Sequence, residues 1–107
     1  MSDAITPQEF HEADGVEDWQ VVDGTARAHY RTGSFAAGVQ LVEAIGELAD
    51  AANHHPDVDL RYAHVAVRLV SHDIGGLSRR DASLARQISL AARELDFEAD
   101  PEAGQDT

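Results

Sequence analysis

Between Ser34 and Pro56 the chain commits itself to a long helix with one apolar face. Phe35, Val39, Val42, Ile45, Leu48, Ala49 and Ala52 recur at steps of three and four residues. That period lines side chains along a single stripe of an α-helix. Gly33-Ser34 supplies a break and a cap, and Pro56 disfavours helical geometry at His55, so the helix has to stop within Asn53-His54-His55-Pro56. A second helix follows Ser78-Arg79-Arg80-Asp81, which has the form of a capping box with Asp in the Glu position. Its stripe is Leu84, Ile88, Ala91, Ala92 and Leu95. Two helices with one stripe each need a common surface to cover.

Strand patterns supply that surface. Trp19–Val22 and Ala26–Thr32 flank Asp23-Gly24, a hairpin turn signal, and His29 and Arg31 share a face of the second strand. Leu60 to Ser71 alternates, with Val65, Val67 and Leu69 on one face and Tyr62, His64, Ala66, Arg68 and His72 on the other. Thr6-Pro7-Gln8-Glu9 marks a short first helix that Gly15 can end. The order is a short helix and then β-β-α-β-α. The expectation is an α+β fold: a small, mainly antiparallel sheet with two long helices on one face, as a single domain over 1–97. Residues 98–107 are expected to be a disordered acidic tail. Open strand edges and an uncovered face predict oligomerisation.

Charge and composition narrow the function. The net charge is −12, yet the 19–93 segment holds eight acids and eight arginines. The surplus sits at the ends, with six acids before Trp19 and six after Arg93. Such a fringe repels nucleic acid and favours solubility. There is no cysteine, which removes disulfides and thiolate metal sites. No apolar run approaches a membrane span, and the first ten residues carry acids where a leader would be basic and apolar. A cytoplasmic protein is expected, without nucleic-acid or membrane partners.

Six histidines stand out in a chain this short. His54, His55 and His72 fall at element boundaries, where a scaffold can aim side chains into a shared cleft. A zinc site is disfavoured: adjacent residues usually point apart, and neither HExxH nor an obvious fourth ligand is present. Acid–base chemistry asks less, because an imidazole gives or takes a proton near neutral pH. Two or three imidazoles suffice to protonate a leaving hydroxyl and remove a proton elsewhere, which is the elimination of water without a metal. No GxSxG, GxGxxG or Walker-type loop appears.

The spacing completes a pattern. Asp50 is followed by three residues, then His54-His55-Pro56; five residues separate Pro56 from Tyr62, nine more precede His72, and eight more precede Asp81. This resembles the signature of the pterin-4a-carbinolamine dehydratases. Trp19 before a Gly-containing turn, a Phe-led helix, Ser71-His72-Asp73, the Gly-Gly-Leu-Ser turn and Arg80-Asp81 extend the likeness over roughly residues 10–95. The resemblance implies a dimer or tetramer that dehydrates 4a-hydroxytetrahydropterin to quinonoid dihydropterin in tetrahydrobiopterin recycling. It also implies His54, His55 and His72 as catalytic residues, with no metal or cofactor. Asp50, Pro56, Tyr62, Arg80 and Asp81 would shape the substrate site. Within that reading Asp81 orients His72 or caps the last helix, Asp50 steadies His54 or is solvated, and Tyr62 is a wall. The alternative is a module that binds a pterin, or dimerises as a transcriptional cofactor, without catalysis.

Overall fold

The structure, a computed structural model, describes residues 4–100. Helix α1 (Pro7–Glu12) opens with the anticipated capping box: the Thr6 N–H donates to Glu9 Oε1 at 2.9 Å, and the Glu9 N–H donates to Thr6 Oγ1 at 3.0 Å. Strands β1 (Gln20–Val22) and β2 (Thr25–Arg31) form a hairpin around Asp23 (φ 52°) and Gly24 (φ 77°). Two consecutive positive φ angles are what a type I′ turn requires, and its twist matches that of the strands. Helix α2 (Phe35–Ala52) is capped by Ser34 Oγ, which accepts from the Ala37 N–H at 3.1 Å. Helix α3 (Arg79–Glu94) starts at Ser78.

The strand expected over 60–71 forms only over His64–Leu69, and an unexpected strand, Asp57–Leu60, precedes it. β3 (Asp57–Leu60) and β4 (His64–Leu69) pair antiparallel, with Leu60 opposite Val65 and Asp57 opposite Arg68. Arg61 turns the corner: its backbone N–H donates to the His64 carbonyl, and its guanidinium holds Asp59 at 2.9 and 3.1 Å. The sheet runs β1-β2-β4-β3, all antiparallel. A fifth strand, β5 (Glu98–Ala99), lies on β2 opposite Tyr30 and Arg31, so the chain stays with the sheet past residue 97. The expected tail beyond Asp100 lies outside the described residues.

The alternation holds. Ala26, Ala28 and Tyr30 of β2 and Val65, Val67 and Leu69 of β4 are buried against the helices. Helices α2 and α3 pack on this face, through Leu41, Ile45 and Ala49 of α2 and Leu84, Ala85, Ile88 and Ala92 of α3. The α2 stripe is rotated from the expected one: Phe35 is 53% exposed, and Gly38 is buried in its place. A Cβ at Gly38 would lie 2.6 Å from Leu60 Cδ1, so the missing side chain is what lets α2 sit down on β3. Each large buried side chain contributes about 1.5–3 kcal/mol. A polar chain ties the layers: Trp19 Nε1 donates to Ser89 Oγ at 2.9 Å, Ser89 lies 2.9 Å from the Tyr30 hydroxyl, and Tyr30 donates to Asp18 Oδ2 at 3.1 Å.

Candidate active site

Two breaks in regular structure meet at one end of the sheet, where β3 begins and β4 finishes. The first is the end of α2. Asn53 takes the left-handed conformation (φ 50°, ψ 42°). The His54 N–H then bonds the Ala49 carbonyl at 3.1 Å, and the Asn53 N–H bonds the Asp50 carbonyl at 3.2 Å. This pair of bonds is a Schellman closure, which Asn accepts more readily than most residues. It reverses the chain and presents His54 and His55 before Pro56 commits the backbone to β3.

The second break follows β4. Ser71 and Gly76 exchange backbone hydrogen bonds of 2.8 and 3.3 Å around a short 3-10 turn, His72–Ile74, and Gly75 (φ 67°) closes it. The chain then enters α3 at Ser78. His72 therefore stands on a tight turn anchored at both ends, and its imidazole is exposed and unbonded to any described residue.

Asp81 joins the two breaks. It is fully buried at the start of α3, and its two oxygens divide the work. Oδ1 lies 2.6 Å from His54 Nε2. Oδ2 accepts from the Ser78 N–H at 2.8 Å and from the Ser71 hydroxyl at 2.8 Å, with the Ser78 hydroxyl at 3.2 Å. The two serine hydroxyls are themselves 2.7 Å apart. A carboxylate removed from water is costly unless it is densely hydrogen-bonded. Here hydroxyl and amide donors, the imidazole and the helix N-terminus all meet that need. A carboxylate only accepts, so the contact with Asp81 places a hydrogen on His54 Nε2.

Asp81 thus caps α3, as one of its two expected roles had it, and the imidazole it also holds is that of His54 and not, as the other had it, that of His72. The reason is position: Asp81 is buried beneath the end of α2, while His72 lies outside on its turn. Asp50 also changes partner. It lies 2.8 Å from His55 Nε2, not against His54, and both side chains are largely exposed, so the pair adds little stability. Arg80 bridges the His72 turn to α3 by holding both oxygens of Asp73 at 2.8 and 3.0 Å. That hydrogen-bonded pair holds the Asp73 carboxyl below its usual range. The Coulombic influence of His54 reaches Asp73 as well, so the turn and the end of α2 are electrostatic neighbours.

Tyr62 is not brought to this cluster within the chain. It sits in the β3–β4 turn, at the opposite end of β3 from His54, and is 68% exposed. Neither of two surface grooves, one between α2 and α3 and one on the open face of the sheet, is lined by His54, His55 or His72. Among the described residues no group of three or more His, Asp or Glu side chains is arranged to hold a metal ion. The expected capping box pairs Ser78 with Asp81, but sequence reasoning missed Ser71 as a partner of Asp81, because nothing local signals a bond that spans ten residues.

The family model described as "Pterin 4 alpha carbinolamine dehydratase" matches residues 3–91. A Mycobacterium tuberculosis protein named "Putative pterin-4-alpha-carbinolamine dehydratase" is 33% identical over 88 residues, covering 82% of this chain and 90% of its own. A protein of the same name from Chloroflexus aurantiacus is 39% identical over 71 residues, covering 66% of this chain and 76% of its own. In structure, the chain resembles a transcriptional coactivator/pterin dehydratase from Brucella melitensis, with TM-score 0.75 and 25% identity over 82% of this chain and 97% of that one. It also shares its fold with a pterin dehydratase-like protein identified as a RuBisCO assembly factor in the alpha-carboxysome. There the TM-score is 0.59 and the identity 17%, over 76% of this chain and 96% of that one.

Proposed function

Since the chain belongs to the pterin 4 alpha carbinolamine dehydratase family, we propose that it removes water from a 4a-hydroxytetrahydropterin by histidine acid–base catalysis, giving the quinonoid dihydropterin in tetrahydrobiopterin recycling. The observation that carries the reading is the contact of 2.6 Å between His54 and the fully buried Asp81. Asp81 fixes the orientation of His54, and in this reading His54 is the acid: it delivers a proton to the departing 4a-hydroxyl as the C–O bond breaks. His72, exposed and unbonded, accepts the proton lost from a ring nitrogen. The two transfers balance as one molecule of water. His55, tethered to Asp50, serves as a binding group, and Pro56 fixes the backbone that carries the pair. Arg80 shapes the rim through Asp73. Tyr62, at the far end of β3, takes no part in the proton transfers and remains a wall.

The same reading takes the protein as a cytoplasmic homodimer or homotetramer. Support comes from the edge position of β3, with Val58 exposed, and from Leu90, which is 47% exposed beside α2. The direct test supplies 4a-hydroxytetrahydropterin generated in situ and follows quinonoid product. The protein should accelerate dehydration over the spontaneous rate, and a chelator should leave that acceleration intact. Tight pterin binding without acceleration would favour the non-catalytic alternative.

A further inference from the structure

The face of the sheet turned away from the helices carries a row of basic side chains. Residues directly opposite on paired strands share a face, and β2 sets Arg27 against Arg68 and Arg31 against His64 on β4, with His29 between them opposite Ala66. Side chains directly opposite have Cβ atoms about 5 Å apart, and like charges so placed are destabilising. The other cations on this side have acidic partners: Arg61 holds Asp59, and Arg31 lies 3.5 Å from Asp100. Arg27 and Arg68 make no direct ion pair among the described residues, although the charge of Arg68 reaches Asp59. Neither makes a salt bridge or side-chain hydrogen bond to a described residue, although Asp57 stands opposite Arg68. The Arg27 Nε is also shut off from solvent with no acceptor. A buried donor left unmade is a standing cost. Alongside, His29, His64, Ala63, Ala66, the exposed Tyr62 and the Asp59–Arg61 ion pair line a groove of about 500 Å³. Ala66 and Arg68 are two residues apart on one strand face, so the groove ends about 7 Å from the arginine pair.

We propose that this open face is a second binding site, separate from the His54–Asp81 cluster, for a small phosphomonoester whose oxyanion bridges Arg27 and Arg68 and whose flat organic body lies in the groove against Tyr62. The oxyanion relieves the like-charge contact and gives the buried Nε its acceptor, and guanidinium groups suit such an anion geometrically. The surrounding protein is strongly acidic, so diffuse attraction of anions is not expected, and occupancy must come from these local contacts. His29 reports on the site. Burial, and then the nearby charges of His64, Arg27 and Arg68, hold its imidazole below the ordinary range, while Asp100 acts the other way. A bound dianion moves it upward.

The test titrates full-length protein with inorganic phosphate and with phenyl phosphate at constant ionic strength, by calorimetry and by the His29 imidazole resonance. Phenyl phosphate should bind at least about tenfold more tightly than inorganic phosphate, a difference of about 1.4 kcal/mol, and should raise the pH at which His29 titrates. Arg27→Gln with Arg68→Gln should lose binding about tenfold or more without lowering the melting temperature, and should keep dehydratase activity. Ala66→Glu, which supplies a carboxylate within the groove, should also abolish binding and folds without touching either arginine. Binding of phenyl phosphate unchanged in both variants, or absent from wild type, overturns the site. Equal affinity for the two probes overturns the role of the groove and assigns the arginine pair to free phosphate.

Discussion

Asp81 carries more of this protein than its size suggests, because one buried carboxylate closes a helix, anchors Ser71 beneath the His72 turn and holds His54. Replacing it with Ala strands the donors that surround it and should cost about 3 kcal/mol or more, read as a fall in melting temperature. Asp81→Asn keeps the shape and loses the charge; it should lower kcat by about tenfold to a hundredfold with KM little changed, since the imidazolium loses its counter-charge. Ser71→Ala removes one donor from the same oxygen, and its expected signature is a smaller fall in kcat with a displaced pH–rate profile. A purely structural serine would lower stability and leave that profile in place. Tyr30 gives a pH test of the core. Burial first, and then the neighbouring Asp18, push its phenol well above the ordinary tyrosine range. The raised value means that stability is fully present below about pH 10, the unfolded value, and is lost as pH climbs towards the folded one. Tyr30→Phe should cost about 1 kcal/mol at neutral pH and abolish most of the alkaline decline in melting temperature.

At the scale of elements, features written in adjacent residues were legible in the sequence. Asp23-Gly24 forms its hairpin turn, both capping boxes form, and α2 ends at the Asn53–Pro56 stop signal. Features that depend on residues meeting across the fold were not. The Asp57–Leu60 strand reads as polar loop because its exposed side carries Asp57 and Asp59, and only pairing with β4 makes it a strand. The cap at Asp81 was legible, but the histidine each acid touches, His54 for Asp81 and His55 for Asp50, was not, because spacing lists the members of a site without saying which side chains touch. The left-handed Asn53 was also invisible, though its effect is testable. Asn53→Val forces a β-branched residue into that conformation and should cost about 1–2 kcal/mol, with activity falling because His54 and His55 leave the same turn. Asn53→Gly should leave the melting temperature and kcat within a small margin of wild type.

Across the whole molecule, chemistry is divided between the two ends and two faces of one small sheet. The helices bury one face, the imidazoles of His54, His55 and His72 gather where β3 starts and β4 ends, and the basic row occupies the open side. The sequence announced the acidic fringe and the histidines, but the placement of arginines opposite one another emerged only with the strand register. The central claim is that His54, held by Asp81, and His72 together move the two protons of a dehydration. It is tested most directly by the rate of quinonoid product formation from 4a-hydroxytetrahydropterin with wild type, with His54→Ala plus His72→Ala, and without protein. The account predicts clear acceleration by wild type and loss of most of it in the folded double variant; equal rates in all three, or a double variant as fast as wild type, would contradict it.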